Sequence, residues 1–161
     1  MAALADANKT TGIKLDVLQE AARARNIELS IYRVAKGEEI AAAIGVAKTS
    51  GAAALNVLAS PMLDANHQLV IDQVAALHLP AMYQWPEPAE QGGFAAYGPR
   101  FVELRDLNAR QLAQLLRGTK VADIPVEQPT KFELVINLKT AKALGLTIPE
   151  SFLLRADKVI E

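Results

Sequence analysis

Two hydrophobic periodicities alternate along the first half of the chain, and this alternation restricts the folds open to it. Apolar residues recur at helical spacing over residues 13–25 and at nearly alternate positions over residues 27–34. Residues 53–58 form an apolar run broken only by Asn56, which is typical of a strand buried in a parallel sheet. Four strands separated by three helices form βαβ units. We therefore predict a doubly wound α/β fold over residues 1–83, with helices on both faces of a parallel sheet.

The alternation of strands and helices is interrupted after Tyr83 by a segment rich in proline and glycine. Two prolines and a Gly-Gly pair fall within residues 84–93, which we predict to be a hinge or linker. Residues 94–161 then carry a short strand, a long amphipathic helix ending at Gly118, a strand over 132–137 and two short helices. This segment is predicted to complete the α/β fold, and 161 residues suit one domain of roughly 100–200 residues.

Composition excludes several classes of protein. The formal net charge of −1 leaves no electrostatic footprint for nucleic acid, and the absence of cysteine removes disulfides, thiolate metal sites and cysteine nucleophiles. No apolar run reaches about 18 residues, so no transmembrane helix is predicted. The first residues lack the basic and apolar regions of a signal peptide, which implies a cytoplasmic location if Met1 is the native start.

No constellation of residues indicates catalysis. His67 and His78 are too far apart to share a metal ion if they lie on one helix, at about 16 Å for 1.5 Å per residue. Asp6 and Asn8 are open to two interpretations: a catalytic or metal-binding pair, or a polar turn that caps the first helix. Nucleophile elbows, phosphate loops, zinc motifs and dinucleotide fingerprints are all missing from the sequence. We predict no enzymatic activity and no bound metal or cofactor.

A small-molecule site is predicted where the strands end. In open α/β sheets, ligands bind outside the carboxyl ends of the strands. Asn8, Ser60, Tyr83 and Trp85 fall at those ends, and they combine short hydrogen-bonding groups with flat apolar surfaces. Trp85 is the only tryptophan and lies in the break between the two parts of the chain, so packing of the hinge is an equal alternative for it.

The C-terminal third closely resembles one known family. The segments that carry the likeness are residues 116–120 (LRGTK), 124–129 (IPVEQP), 132–149 (FELVINLKTAKALGLTIP) and 155–161 (RADKVIE), together with Gly92-Gly93 and Tyr97-Gly98-Pro99. They resemble the C-terminus of substrate-binding proteins of ABC-type importers, in the tryptophan/tyrosine-type group. Nearer to the N-terminus the likeness is weaker, and residues 3–8 and 77–81 are similar to parts of the family's second lobe.

The resemblance implies a periplasmic-binding-protein-like lobe of type I, truncated relative to the two-lobed family to the second lobe plus the C-terminal segment. It implies a small-molecule solute, often an amino acid, an ABC permease as partner, and a periplasmic or membrane-associated location. It also adds Tyr97 to the predicted ligand-binding residues Asn8, Ser60, Tyr83 and Trp85. Residues 85–88 (WPEP) replace the more usual charged run of the family, which leaves the identity of the solute open.

Two functions from different classes remain open at this point. One is a truncated solute-binding component of an ABC transporter. The alternative is a stand-alone α/β interaction module that has lost solute binding and acts through oligomerisation. We expect a homodimer or a larger assembly, because the helix over residues 101–116 carries apolar residues that the first lobe would help to cover. These residues are Phe101, Leu104, Leu107, Leu112, Leu115 and Leu116.

Overall fold

Seven strands form one sheet that runs through the whole chain. The computed structural model describes residues 1–161, and the strands lie in the order β2-β1-β3-β4-β5-β6-β7. The strands are β1 (Ala2–Asp6), β2 (Ser30–Val34), β3 (Leu55–Val57), β4 (Ala81–Tyr83), β5 (Ala95–Gly98), β6 (Glu133–Asn137) and β7 (Lys158–Ile160). The helices are α1 (Gly12–Arg23), α2 (Ile40–Thr49), α3 (Pro61–Ala65), α4 (His67–Ala76), α5 (Pro86–Glu90), α6 (Phe101–Leu116), α7 (Leu138–Ala143) and α8 (Glu150–Leu153), with short 3₁₀ turns at Gly37–Glu39 and Val121–Asp123.

The sheet is parallel except at one junction. Strands β1 to β5 pair in parallel, β6 is antiparallel to β5, and β7 is parallel to β6. Helix α1 connects β1 to its outer neighbour β2, and α2 crosses back to β3, so right-handed crossovers place α1 and α2 on opposite faces. All five residues of β1 are buried, as expected for a strand covered on both sides.

The core lies between the sheet and the face that α2 and α4 cover. Ile40 and Ile44 of α2 and Val70 and Val74 of α4 recur one helical turn apart, and they pack with Leu55 of β3 in one buried cluster. Fully burying side chains of this size contributes roughly 1.5–3 kcal/mol each. This stripe on α2 and α4 therefore packs both helices onto the central strands of the sheet.

The parallel sheet predicted over residues 1–83 is confirmed, and β3 is internal, between β1 and β4. The third of the three helices predicted between the four strands is instead two helices, α3 and α4, that meet at Asn66, where φ is −110°. The Asn66 side-chain amide donates to the Met62 carbonyl oxygen at 2.8 Å, a local bond that competes with the helical backbone pattern.

Two further elements were not predicted. Residues 84–93, predicted to be a hinge or linker, contain α5, which begins with Pro86 at a position where a helix tolerates proline. Pro86, Pro88 and Ala89 are buried, so this connection is packed against the body of the protein. The other element is β7, a three-residue strand whose pairing with β6 extends the sheet.

Between β5 and β6 the chain forms an arm, defined here as residues 99–132. Gly98 and Glu133 are direct partners in the β5–β6 pairing, so the arm leaves and rejoins the sheet at one point, the carboxyl end of β5. The arm consists of α6 and a return segment, which are joined by a bond from the Gln111 side chain to the Pro125 carbonyl oxygen at 3.2 Å. No residue of α6 is buried. None of the helices combines the length and apolar character needed to cross a bilayer.

Candidate functional site

Three neighbouring strands direct side chains towards one end of the sheet. Ser60 follows β3, Trp85 follows β4, and Phe101 opens α6 after β5. The Ser60 hydroxyl accepts the backbone N–H of Leu63 at 3.0 Å and so caps α3. The rings of Trp85 and Phe101 pack with centroids 4.5 Å apart. The capping bond holds the start of α3 after β3, and the ring contact holds the base of the arm beside the carboxyl end of β4.

A recess of about 360 Å³ opens between α4, α5 and the first turn of α6. A smaller cavity adjoins it, shares Asp64, His67 and Pro88 with it, and extends to Ser60, Tyr83 and Trp85. Because they share these lining residues, the two are together called the recess below. Its larger part is lined by Asp64, His67, Glu87, Pro88, Gln91, Phe101, Val102 and Arg105.

Charged groups of both signs face the recess. Glu87 Oε1 accepts the backbone N–H of Phe101 at 2.9 Å, whereas Glu87 Oε2 is buried with no hydrogen-bond partner. Burial raises the pKa of Asp64 above its ordinary value, and the charge of His67 opposes that rise. The Arg105 guanidinium lies 5.7 Å from the Phe101 ring centroid. The recess therefore offers carboxylates for a cation, a guanidinium for an anion, and aromatic surface beside both.

The structure places Tyr83 in the core, at 2% exposure. Its ring lies against Gly93, where an added Cβ would come within 2.6 Å of Tyr83 Cε2. The buried hydroxyl has no hydrogen-bond partner, and burial raises the pKa of the phenol, which stays neutral. Tyr83 therefore supports the floor of the recess from within the protein.

Tyr97 lies apart from the recess. It lines a trough of about 310 Å³ together with Asn56, Met82 and Phe94. Asn56 and Met82 alternate with core residues along β3 and β4, so the trough lies on the opposite face of the sheet. Tyr97 is 53% exposed, and its ring centroid is 5.8 Å from that of Phe132.

Asn8 lies at the end of β1, beside the position where the strand order reverses between β1 and β3. Its side-chain amide donates to the Ala35 carbonyl oxygen at 3.2 Å, which ties it to the end of β2. Of the five predicted residues, Ser60, Tyr83 and Trp85 therefore come together at the recess. Asn8 and Tyr97 do not line it.

Sequence reasoning did not assign Asp64, His67, Glu87 and Arg105 to a site. Asp64 lies in the first turn of α3, a common position for an acid and therefore no signal of a binding site. Asp64 and His67 belong to two helices that meet at Asn66, so the spacing of the two residues in the sequence gave no reliable signal. His67 Nδ1 lies 2.7 Å from the Asp64 carbonyl oxygen. Glu87 and Arg105 come from α5 and α6, and no local pattern connects them to Asp64.

No cluster of three or more histidine, cysteine or carboxylate side chains is arranged to hold a metal ion. The recess groups are instead a mixed set of carboxylate, imidazole, amide and guanidinium. Such a set suits hydrogen bonding to a small polar molecule.

Solved structures share this fold. A Streptococcus pneumonia protein described as an ABC domain in complex with L-Trp is 27% identical, with a TM-score of 0.87 over 99% of this chain and 54% of that chain. A conserved domain protein from Vibrio cholerae is 21% identical, with a TM-score of 0.88 over 98% of this chain and 53% of that one. A substrate binding protein with adhesive properties from Clostridium difficile, in a ligand-free, open structure, is 18% identical. Its TM-score is 0.68 over 99% of this chain and 53% of that one.

The chain thus spans about half the length of these solved structures. A comparison with curated protein sequences gives no match. The sequence profile of one family, described as ABC transporter substrate binding protein, matches residues 5–160. Since that match covers nearly every residue, the chain belongs to the ABC transporter substrate binding protein family.

Proposed function

We propose that the chain forms one wall of a binding cleft for a zwitterionic small molecule, with an amino acid as the solute. It acts as the solute-binding component of an ABC importer, hands the solute to a membrane permease, and works on the outer side of the cytoplasmic membrane. Membership of the family supports the transport role, the permease partner and the location. The complex of the 27% identical relative with L-Trp supports an amino acid.

The observation that carries the solute class is the charge pattern of the recess. An amino acid presents an ammonium and a carboxylate close together. Glu87 Oε2 is buried without a partner, and a buried carboxylate oxygen is stabilised when it accepts a hydrogen bond from a cation. Asp64 lies in the same recess and adds a second acceptor, while Arg105 supplies a guanidinium for the carboxylate.

The aromatic surface beside these charges suits the side chain of the solute. Trp85 packs against Phe101 at the edge of the recess, and the Ser60 hydroxyl lies at its inner end. In this proposal Trp85 and Ser60 contact the solute and Tyr83 supports them from the core. Asn8 is assigned to the surrounding rim, whereas Tyr97, on the opposite face of the sheet, is left out of the proposed site.

Binding by this chain alone is expected to be weak. Good small-molecule sites bury about 70–90% of their ligand, and a single wall leaves much of it in water. Isothermal titration calorimetry with a panel of amino acids measures the affinity directly. Aromatic amino acids should bind more tightly than aliphatic ones, because Trp85 and Phe101 offer stacking surface.

Two variants and one control make this test specific. Glu87→Gln removes the charge that faces the ammonium, and Trp85→Ala removes the aromatic wall, so each should weaken binding by about tenfold, or 1.4 kcal/mol. Glu28→Gln changes an exposed acid that precedes β2, at the end of the sheet opposite to the recess, and should leave binding unchanged. Affinity that survives both recess variants, or a panel in which no amino acid binds, contradicts the proposal.

A further inference from the structure

Both ring nitrogens of His67 face oxygen atoms beside the recess. His67 Nδ1 lies 2.7 Å from the Asp64 backbone carbonyl oxygen, and Nε2 lies 2.5 Å from Oε1 of Gln91. Oxygen atoms of this kind only accept hydrogen bonds, so both nitrogens donate in this arrangement. A histidine that donates twice is the charged imidazolium. His67 and Gln91 both line the recess, and neither has a role in the solute binding proposed above.

The two contacts respond differently when the ring loses a proton. The Asp64 carbonyl oxygen has no donor to offer, so Nδ1 keeps its proton in the neutral ring and Nε2 carries the lone pair. That lone pair cannot stay against Oε1 of Gln91, because two acceptors share no hydrogen between them. Half a rotation of the Gln91 amide about its last torsion exchanges Oε1 with the Nε2 donor and removes the conflict. The neutral ring therefore selects the reversed amide.

Gln91 lies where such a rotation is easy. It follows the last residue of α5 and is exposed. Its side-chain amide has no protein hydrogen-bond partner other than His67. His67 is held more firmly, because it is the first residue of α4, is half-buried, and has Nδ1 bound to the Asp64 carbonyl oxygen. The ring is thus the fixed member of the pair, and the amide is the member that turns.

We propose that His67 and Gln91 form a specificity pair whose preference for solute groups depends on one proton. With neutral His67, Gln91 donates its amide N–H to the ring and leaves its carbonyl oxygen for the recess. When Nε2 takes up a proton from water, the amide reverses and leaves its NH₂ group for the recess. The first state offers an acceptor to a cationic group, and the second offers a donor, beside a positive ring, to an anionic group. This choice between solute groups rests on the proposed function, whereas the reversal itself does not.

Charged groups from three elements surround the specificity pair. Asp64 on α3 and Glu87 on α5 bring negative charge to the recess, and Arg105 on α6 brings positive charge. Burial raises the pKa of Asp64, and the charge of His67 opposes that rise, which shows that the two groups interact. Asp64 and Glu87 are therefore the acids whose titration must be separated from that of His67.

The other elements beside α4 contribute less charge to this end of the helix. Helix α2 packs on α4 through buried isoleucines, and its Lys48 is bonded to the His78 carbonyl oxygen, beyond the opposite end of α4. The Gly37–Glu39 turn approaches Asn66 and carries Glu38 and Glu39. The Glu39 carboxylate already accepts the Ala35 N–H at 2.7 Å.

Nitrogen-15 NMR of the imidazole rings tests the pair without any solute. The chain has only two histidines, and the exposed His78 serves as the internal reference. At a pH where His67 is neutral, its proton should lie on Nδ1 and its lone pair on Nε2. The side-chain N–H signals of Gln91 should shift with the same pH midpoint as the His67 ring. A neutral His67 with its proton on Nε2, or a Gln91 amide that ignores the titration of the ring, overturns the proposal.

A carboxylate in place of the amide should hold the pair in one state. Gln91→Glu offers only acceptors, so it favours the ring with a proton on Nε2. The ratio of protonated to neutral His67 should rise by about tenfold at the same pH. Gln114→Glu makes the same change on the second half of α6 and should leave that ratio unchanged. Equal ratios in the two variants, with both proteins folded by circular dichroism, contradict the proposal.

Two indole probes test the choice between solute groups. Tryptamine carries an ammonium without a carboxylate, and 3-indolepropionate carries a carboxylate without an ammonium. Both keep their charges between about pH 5.5 and 8.5. Calorimetry is done within this range, on either side of the His67 midpoint found by NMR. As the pH falls, the affinity for tryptamine should drop and that for 3-indolepropionate should rise, so that their ratio changes by about fivefold or more.

His67→Gln separates the ring from the neighbouring acids. This variant has no titrating ring, so the affinity ratio should change by less than about twofold over the same pH interval. An equal change in the variant and the unmodified chain, or no change in either, overturns the specificity role. Failure of both probes to bind at either pH contradicts the proposed function, and with it the specificity role. The NMR result then still decides whether His67 reverses the Gln91 amide.

Discussion

At the scale of single residues, Gly98 shows how closely two strand ends approach in this protein. A Cβ added at Gly98 would lie 1.9 Å from the Gln84 carbonyl oxygen, which is a backbone atom and cannot turn away. Gly45, in the middle of α2, has nothing within 4 Å of the same added atom. The two glycines therefore serve different purposes. Gly98 permits a contact between β5 and the segment after β4, whereas Gly45 only lowers the stability of a helix.

Alanine at these two positions should have opposite effects. Gly98→Ala forces β5 away from Gln84 and should lower the free energy of unfolding by about 2–4 kcal/mol. Gly45→Ala should raise it by about 0.5–1 kcal/mol, because alanine restricts the unfolded chain and favours the helix. Urea denaturation followed by circular dichroism measures both. A Gly98→Ala protein as stable as the unmodified chain would show that Gln84 moves freely, and that the carboxyl ends of β4 and β5 are not rigidly placed.

At the scale of elements, the arm is separable from the sheet. It joins the sheet through Gly98 and Glu133, which are paired across β5 and β6, and no residue of α6 is buried. The contacts at its base are the Trp85–Phe101 packing, the Phe101–Glu87 hydrogen bond, and the bonds of Arg100 and Lys131. A short turn could therefore replace most of the arm without changing the strand register.

Replacing residues 101–130 by Asn-Gly tests this separation. The variant keeps Pro99, Arg100, Lys131 and Phe132 as an extension of the β5–β6 hairpin. It should fold, unfold in one cooperative transition, and lose no more than about 2 kcal/mol, most of it from the Trp85–Phe101 contact. Phe101→Ala in the full chain is the matched control for that contact. A replacement variant without cooperative unfolding would show that the arm is part of the folded core.

The elements also show which parts of the fold the sequence could reveal. Helix α6 and the strands around residues 53–58 and 132–137 were predicted well, because each carries its own apolar periodicity. The short elements α5 and β7 were not predicted. Helix α5 contains two prolines that resemble a break, and it is stable because its neighbours bury it. Strand β7 has three residues, and only its pairing with β6 identifies it.

Only part of the lining of the recess could be predicted from the sequence. The rule that ligands bind at the carboxyl ends of parallel strands selected Ser60 and Trp85, and both line the same cavity. Glu87 and Arg105 reach the recess only because α5 is folded and because the arm starts beside Trp85. Both conditions depend on tertiary packing, which leaves no periodic signal in the sequence.

At the scale of the whole molecule, one ion-pair network joins segments that are distant in the chain. Arg100 contacts Glu90 at 2.9 Å and Glu133 at 2.6 Å, while Lys158 contacts Glu90 at 2.8 Å and Lys131 contacts Glu133 at 2.6 Å. The network connects α5, the base of the arm, β6 and β7. Hydrogen bonding to Arg100 is the main cause that lowers the pKa of Glu90, and hydrogen bonding to Lys131, followed by Arg100, lowers that of Glu133.

These lowered pKa values determine whether the stability of the fold rises or falls with pH. The two carboxylates stabilise the fold at a pH above their ordinary value of 4.5, and this stabilisation is lost as the pH falls through their lower folded values. Arg100→Met should therefore reduce the free energy of unfolding by about 1–3 kcal/mol at pH 7 and by much less at about pH 3. Urea denaturation at both pH values tests this, with Lys139→Met as an exposed control outside the network. An equal loss of unfolding free energy at both pH values would assign the effect of Arg100→Met to lost packing of the side chain.

The paired attachment of the arm has a further consequence, for insertions and deletions in the chain. Because both ends of the arm meet at Gly98 and Glu133, residues can be added to or removed from α6 and its return segment without shifting any strand. Closing a longer loop costs little, since the entropy grows only with the logarithm of its length. Each added residue lengthens α6 by about 1.5 Å and moves its end farther from Trp85. The length of the arm can thus change while the strand register and the recess at the start of α6 stay unchanged.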